Sequence, residues 1–352
     1  MKIIIVLLVS AFIFLVSCKQ QLESRFATDL IENGVTDLSG AYMGQSTPNS
    51  IPELFAPDII SNGLINRDIT ITPEGDEIYF TFSTCDYSYT AVLTSKLVNG
   101  IWSIPEVVSF ASNPEYVTME PCLSYDGNQL FFASDRPIND SSEKDDTNIW
   151  VVEREGENWG LPKLLDTAIN TNQGEYFPSI TKNGCLYFTR EESSGICYIY
   201  SSVFENGTFT KPKRLPDQVN CGRNRFNAYV SQDESYIIIP ATGVEKDVRR
   251  VNYYITFKLD DDKWGEPINM GPTVNSNLGR GWSASLSPDG KYLFFMSSRG
   301  LKEKPKPWSL TYSFFSQLQC DPQNGSANIY WVKSDFIDDL KVKESFTNTI
   351  TN

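Results

Sequence analysis

Carboxylates, guanidiniums and aromatic rings recur at corresponding places in this sequence, a few residues before a repeated strand. Asp68, Glu120 and Glu175 are the carboxylates, and Arg67 and Trp282 occupy similar places. A pair of carboxylates can hydrolyse a glycosidic bond, one as general acid and the other as base or nucleophile. The same mixture also suits binding of a polar ligand such as a glycan or peptide, because guanidiniums form planar hydrogen-bonding forks and rings stack. Binding is the reading we favour, with hydrolysis as the alternative.

Composition excludes several other classes of chemistry. The 352 residues include no histidine, which rules out histidine-based triads, proton shuttles and metal ligands. The net charge of −14 argues against a nucleic-acid partner, because such binding needs Lys and Arg to neutralise phosphates. No paired CxxC spacing occurs, so we predict no metal site, and no motif indicates a cofactor.

A hairpin that recurs along the chain must position these residues. Its clearest copy is Ser287-Pro288-Asp289-Gly290, followed by the apolar strand 292–296. Such a turn forms readily, because proline presets φ, Asp bonds its own backbone and Gly adopts positive φ. The equivalent turn positions recur at intervals of 50–57 residues: Gly75, Gly127, Gly184, Glu234 and Gly290. A period near 50 with several strands per unit indicates a β-propeller.

Each repeat continues into a second hairpin, whose last strand carries an aromatic residue and then a proline, as in Trp159 and Pro162. A proline cannot donate to a strand ladder and belongs on an edge. The sequence therefore predicts an all-β propeller of four-stranded antiparallel blades. The fifth unit lacks its fourth strand, and the orphan segment 51–57 supplies a match, so we expect an N-terminal strand to close a five-bladed ring. A sixth, degenerate blade in 301–352 is the alternative.

The segment 287–299, with its Ser-Pro-Asp-Gly turn and final Ser-Ser-Arg, resembles the WD40-like repeat of TolB-type propellers, and 131–137 is a second match. The resemblance covers about residues 50–335 and implies the propeller fold. Such propellers serve as scaffolds, binding proteins and sometimes enzyme domains. Five-bladed propeller glycosidases resemble the same layout.

Meander topology brings the starts of all inner strands to one rim of the channel. We expect a funnel there, with its ligand bound by Arg67, Asp68, Glu120, Arg136, Glu175, Arg190, Arg225, Arg280 and Trp282. For an enzyme, the catalytic residues would be Asp68, Glu120 and Glu175. The long loop 299–327 enters the same rim, and it covers the channel mouth, docks a partner or packs on its own blade.

The N-terminus predicts export. A short apolar run follows Lys2, and Leu15-Val16-Ser17-Cys18 looks like a bacterial lipobox, the site of cleavage before a lipidated cysteine. We therefore expect a signal peptide over 1–17, lipidation of Cys18, a loose tether over 18–50 and a propeller over 51–340. The protein would be a monomer anchored in the cell envelope by its lipid, with a protein or polysaccharide partner. Six further cysteines permit disulfides in 15 connectivities, and none is predicted.

Overall fold

Five small antiparallel sheets surround a common axis in the computed structural model, so the chain is a five-bladed β-propeller. The structure describes residues 38–138, 146–192, 195–245, 250–259, 263–276, 279–300 and 305–342. Within those ranges, the C-terminal region adds one strand to blade 5 and two helices, so the five-bladed prediction is confirmed over the six-bladed alternative. The predicted signal peptide, Cys18 and the first part of the tether lie outside the described residues.

The first three blades follow one another along the chain, each with its innermost strand first. Blade 1 comprises Ile65–Ile71, Glu77–Ser83, Thr90–Val98, Ile101–Trp102 and Glu106–Val107. Blade 2 comprises Thr118–Leu123, Gln129–Ser134, Asn148–Glu155, Asn158–Trp159 and Lys163–Leu164. Blade 3 comprises Gly174–Ile180, Leu186–Glu191, Cys197–Ser202 and Lys213–Arg214, with a small hairpin formed by Phe204–Glu205 and Thr208–Phe209. In blades 1 and 2 the outer strand is split in two, and Pro105 or Pro162 lies at the interruption.

Blades 4 and 5 complete the ring. Blade 4 comprises Asn224–Arg225, Tyr229–Val230, Tyr236–Thr242, Asn252–Phe257 and Ile268–Asn269. Blade 5 comprises Ala284–Leu286, Tyr292–Ser297, Asn328–Lys333 and the N-terminal strand Glu53–Leu54. In that last pairing, Glu53 lies opposite Trp331 and Leu54 opposite Tyr330. The prediction that an N-terminal strand closes the ring is therefore confirmed.

The turn between the first two strands has the same chemistry in every blade. The amide of each turn position donates to a Ser or Thr carbonyl three residues earlier, at 2.9 Å from Gly127 to Ser124 and 2.8 Å from Gly290 to Ser287. Four of these positions are glycines with φ between +70° and +78°, and the fifth, Glu234, has φ +60°. Glycine is favoured there because a Cβ strains this conformation.

Among the described residues the hydrophobic core lies between blades, as five large clusters arranged around the ring and a sixth small one formed by Ile65, Met296 and Ala327. Between blades 1 and 2, for example, Tyr79 and Val92 pack against Phe132 and Trp150. At the seam between blades 5 and 1, Phe55 contacts Phe294 and Trp331 at centroid distances of 5.0 and 5.2 Å. Each blade buries its two apolar faces on its neighbours, so the five blades stabilise one another.

Residues 38–50, which we expected to belong to a loose tether, pack on the ring as a clasp over that seam. Trp102 donates its amide to the Leu38 carbonyl at 3.0 Å and its indole N–H to the Gly40 carbonyl at 2.7 Å. The ring centroids of Tyr42 and Trp331 lie 5.2 Å apart. The clasp therefore runs along the hairpin-turn side of the propeller, from blade 1 to blade 5. It packs there despite its loop-like composition because its apolar side chains are buried against the ring.

Two helices follow the last inner hairpin. One, Tyr312–Cys320, lies within the long loop, and the Thr311 hydroxyl caps it by accepting from the Phe314 amide. The other begins at residue 336 and packs Ile337 and Leu340 on blade 5. Among the described residues neither helix, nor any other, has the length and apolar character needed to cross a membrane. All six described cysteines are free thiols.

Candidate functional site

The inner strands carry bulges that shape the middle of the channel. Asp68, Glu120, Phe177 and Asn227 each lie seven residues before the turn position, and each has a left-handed φ between +50° and +60°. The ladder register shifts at this point in blades 1, 2 and 3. A bulge adds one residue and so changes which side chains face the channel on either side of it.

Side chains one position earlier line a funnel on the rim opposite the turns. This funnel has a volume of about 730 Å³. Every blade contributes the residue eight positions before its turn: Arg67, Met119, Tyr176, Phe226 and Trp282. The remaining described walls include Tyr87, Asp146, Asn172, Gln173, Glu191 and Glu192. The funnel thus combines half-buried aromatic rings with amides and carboxylates.

Arg67, Asp68 and Glu120 form a buried ionic cluster at the funnel floor. The Arg67 guanidinium donates to Asp68 Oδ2 at 2.6 Å and, through Nη2, to Glu120 Oε1. Glu120 also accepts from the Phe177 amide at 2.7 Å and from Asn227 Nδ2 at 3.3 Å. The Asp68 and Glu120 side chains are only 1% and 2% exposed. Four blades therefore meet in one hydrogen-bonded network at the centre of the ring.

The cluster has two carboxylates for one guanidinium, and this imbalance perturbs its titration. Burial raises the pKa of Glu120 to about 7, although Arg67 opposes the shift, and the neighbouring charge of Asp68 reinforces it. Burial acts to lower the pKa of Arg67, but attraction to Asp68 and Glu120 outweighs it and raises the pKa well above its ordinary value. Arg67 therefore stays charged while Glu120 titrates near neutrality.

Two buried oxygens, one in the cluster and one in the neighbouring Asn227, lack a hydrogen-bond partner. These are Asp68 Oδ1 and Asn227 Oδ1, in side chains that line the channel. A buried acceptor without a donor costs free energy unless water or a ligand satisfies it. Asn227 lines the funnel, so the funnel floor has capacity for a donor such as a ligand hydroxyl.

A second cavity, of about 270 Å³, opens on the hairpin-turn side of the same cluster. Every blade contributes to it the residue five positions before its turn: Thr70, Cys122, Ser179, Tyr229 and Ser285. Pro73, Tyr125 and Pro288 surround its mouth. The ionic cluster therefore divides the central channel into two compartments, and the funnel is the larger.

Of the nine residues predicted to bind ligand, the structure brings Arg67, Asp68, Glu120 and Trp282 to the channel. Glu175 lies elsewhere, although we expected it to be equivalent to Glu120. It is nine residues before its turn and precedes the bulge. Its carboxylate accepts from Arg190 Nε at 2.7 Å and from the Thr171 hydroxyl at 2.6 Å. Both Glu175 and Arg190 are thus engaged beside the funnel wall rather than in it.

The other predicted arginines hold the rim together. Arg136 donates to the Phe110 carbonyl at 2.9 Å and lies over the Phe132 ring, and burial lowers its pKa to about 10. Arg225 donates to the Cys221 and Cys197 carbonyls at 3.1 and 3.0 Å. Neither arginine contacts the channel carboxylates, which pair with Arg67 instead. Arg280 is exposed and does not line the funnel.

Tyr87, Met119 and Phe226 were not among the predicted site residues. The signal that identifies Met119 and Phe226 is their fixed offset of eight residues from the turn. That offset predicts a channel-lining side chain only once the position of the bulge is known, because the bulge determines which side chains point into the channel. Tyr87 comes from the loop after the second strand of blade 1, whose path no pattern in the sequence predicts.

Comparisons with known proteins give similarity of fold. No protein-family model matches the chain, and no curated protein is similar to it in sequence. Solved structures that resemble it include a putative TolB from Agrobacterium tumefaciens, at 15% identity and a TM-score of 0.44, covering 69% of this chain and 73% of that one. TolB from Acinetobacter baumannii is 16% identical, with a TM-score of 0.41 over 66% of this chain and half of the other. A GH43 endo-arabinanase from Bacillus licheniformis is 13% identical, with a TM-score of 0.49 over 77% and 94%. The propeller fold that the repeats predict is confirmed by the five sheets around a common axis.

Proposed function

We propose that this protein is a lipid-anchored binding protein of the bacterial cell envelope, and that its funnel holds a segment of polysaccharide. The lipobox-like Leu15 to Cys18 supports the anchor. The funnel walls support the ligand class, because sugar rings stack on aromatic faces while their hydroxyls bond to amides and carboxylates. Tyr87, Tyr176 and Trp282 supply such faces.

We favour binding over hydrolysis because the carboxylates expected to be catalytic are already engaged in hydrogen bonds and ion pairs within the protein. Both oxygens of Glu120 already accept hydrogen bonds, and Asp68 is paired with the same guanidinium. The Glu175 carboxylate accepts hydrogen bonds from Arg190 and Thr171. A glycosidase needs one carboxyl group to protonate the leaving oxygen and another to act on the sugar or on water. Because these three carboxylates are engaged at the floor or beside the wall, the funnel offers a ligand stacking on its rings and hydrogen bonds or charge pairing with its remaining polar groups.

Screening a glycan array with residues 38–342 tests this proposal, followed by titration of any glycan that binds. We expect Trp282→Ala to weaken binding by about 1–3 kcal/mol, the usual range for an aromatic anchor. Trp308→Ala is the matched control, because Trp308 is fully exposed on the long loop and does not line the funnel. Full affinity in Trp282→Ala together with loss in Trp308→Ala would move the binding site to the loop. That loop exposes Trp308, Leu310 and Tyr312, and a protein partner would be the ligand it suits.

A glycoside hydrolase is the second candidate, favoured by one observation. The raised pKa of Glu120, about 7, is the value that a general acid needs near neutral pH. If the protein hydrolyses a glycan, Glu120→Gln should abolish turnover and leave the affinity for substrate nearly unchanged, because the amide keeps the shape but transfers no proton. Retained turnover in Glu120→Gln, or no turnover in the wild type on any glycan it binds, excludes this candidate.

A further inference from the structure

Charge in the funnel is one-sided. Among the described residues that line it, Glu120, Asp146, Glu191 and Glu192 are acidic, and Arg67 is the one base. Arg67 is buried and already shared between Asp68 and Glu120. Its charge is therefore compensated within the floor, and among the described residues no basic side chain forms an ion pair with Glu191 or Glu192 on the wall.

Several polar groups of the funnel are hydrogen-bond acceptors, which matches its excess of negative charge. Asn227 is 2% exposed, its Nδ2 donates to Glu120, and its Oδ1 has no partner. The Tyr176 hydroxyl is engaged with the Cys197 thiol at 3.1 Å. A buried acceptor at the floor and carboxylates on the wall both call for donors from the ligand.

From these two observations we infer that the funnel selects a saccharide that carries amino groups, and rejects one that carries carboxylates. The inference rests on the proposed glycan-binding function and names the class of glycan. An ammonium group of an amino sugar would pair with the wall carboxylates, and sugar hydroxyls would donate to Asn227 Oδ1. A uronic acid would meet like charge on the wall, and the described part of the funnel lining offers no free guanidinium to pair with its carboxylate.

Three oligosaccharides of equal length separate the possibilities: oligoglucosamine, which is cationic when protonated, neutral oligo-N-acetylglucosamine, and anionic oligogalacturonate. Titrations at pH 6 and low salt should show the cationic oligomer binding about 10-fold more tightly than the neutral one, as expected for a few partly screened charge pairs. The anionic oligomer should bind more weakly than both. The preference should shrink at high salt, because screening shortens the range of the charges.

Matched variants locate the origin of the preference. Glu191→Gln with Glu192→Gln should remove most of the preference for the cationic oligomer and leave binding of the neutral oligomer within about twofold. Glu115→Gln, on the same rim but outside the funnel lining, should leave the preference intact. Equal binding of all three oligomers, or best binding of oligogalacturonate, would overturn the inference while the glycan-binding proposal survives. If none of the three and no array glycan binds, the proposed function itself fails, and the inference falls with it.

Discussion

Arg67 is shared by two carboxylates, and one guanidinium cannot neutralise both. Asp68 lies next to it in sequence and takes one arm of the fork, and Glu120 reaches it from the neighbouring blade. Removing a carboxylate from water is costly unless its charge is compensated. Glu120 is therefore the member of the cluster whose ionisation the fold opposes.

This arrangement predicts a specific dependence of stability on pH. The folded protein keeps a proton on Glu120 up to about pH 7, whereas in the unfolded chain this group has lost its proton by about pH 5. Since the folded state binds more protons in this window, the free energy of unfolding should fall as pH rises from about 4.5 through 7. The contribution of Glu120 should amount to about 2–4 kcal/mol.

Urea denaturation of the wild type and Glu120→Gln across pH 4–8 measures this contribution. Other groups, such as Glu175, titrate in both proteins and cancel when the two unfolding free energies are subtracted. We therefore expect the difference in unfolding free energy to change through this window through Glu120 alone. Parallel curves for the two proteins would show that folding does not shift the pKa of Glu120.

Glu234 occupies the one turn position where glycine is absent, and its side chain explains the exception. The carboxylate accepts from the Thr181 hydroxyl at 3.2 Å and from the Tyr187 hydroxyl at 3.0 Å, both in blade 3. These inter-blade hydrogen bonds offset a left-handed φ of +60°.

Two substitutions at Glu234 separate these opposing effects. Glu234→Ala should lose the hydrogen bonds and keep the strain, and Glu234→Gly should lose both. The glycine variant should therefore be more stable than the alanine variant by about 1–2 kcal/mol, measured by thermal or urea unfolding. At the adjacent Asp233, whose φ is not left-handed, the order of the two variants should be reversed.

At the residue scale, the sequence predicted the types of the channel residues better than their directions. Arg67, Asp68, Glu120 and Trp282 reach the channel as expected. Glu175 does not, because the bulge between Tyr176 and Ser179 reverses which side chains face inward. A bulge is one extra residue in a ladder, and nothing in the composition of these strands indicates where it falls.

Ring closure is the central feature at the scale of the elements. Only two residues, Glu53 and Leu54, form the closing strand, so its ladder alone is weak. Phe55, which follows directly, is fully buried against Phe294 and Trp331. The closing strand is thus held mainly by this aromatic side chain.

Phe55→Ala should accordingly destabilise the protein by about 3–5 kcal/mol, the usual cost of deleting a buried phenylalanine ring. Ile51→Ala, four residues earlier and largely exposed, should change stability by less than about 0.5 kcal/mol. Deletion of 51–57 should abolish the cooperative unfolding transition. Urea unfolding reports all three, and a deletion variant that melts within a few degrees of the wild type would refute the closure mechanism.

Elements with strong local signals were predictable, and those formed by tertiary packing were not. The hairpins, the five blades and the orphan strand followed from turn chemistry and alternation in the sequence. The clasp over 38–50 did not, because Tyr42 and Met43 are ordered by contacts with blade 5 rather than by local propensity. Tyr312–Cys320 also escaped prediction, although Thr311 is a recognisable helix cap.

For the whole molecule, the proposed anchor gives a direct prediction. Cys18→Ala should release the protein from the membrane fraction or leave an unprocessed precursor, since the residue that would carry the lipid is missing. Cys320→Ala is the matched control, because it removes an exposed free thiol about 300 residues along the sequence from the lipobox and should leave fractionation unchanged. Cell fractionation with detection of the precursor measures both, and normal maturation and membrane association of Cys18→Ala would exclude lipidation there.

The path of the clasp has a consequence for how an anchored molecule would stand on a bilayer. Leu38 lies beside the turn at Gly100, on the side of the propeller opposite the funnel. A lipid on Cys18 would pull from that side, so the turns would face the lipid headgroups and the funnel mouth would point away from them. Residues 18–37 span at most about 66–72 Å when fully extended, which sets the greatest height at which the propeller can stand. Such a molecule would meet its ligand in the space beyond its own membrane rather than at the lipid surface.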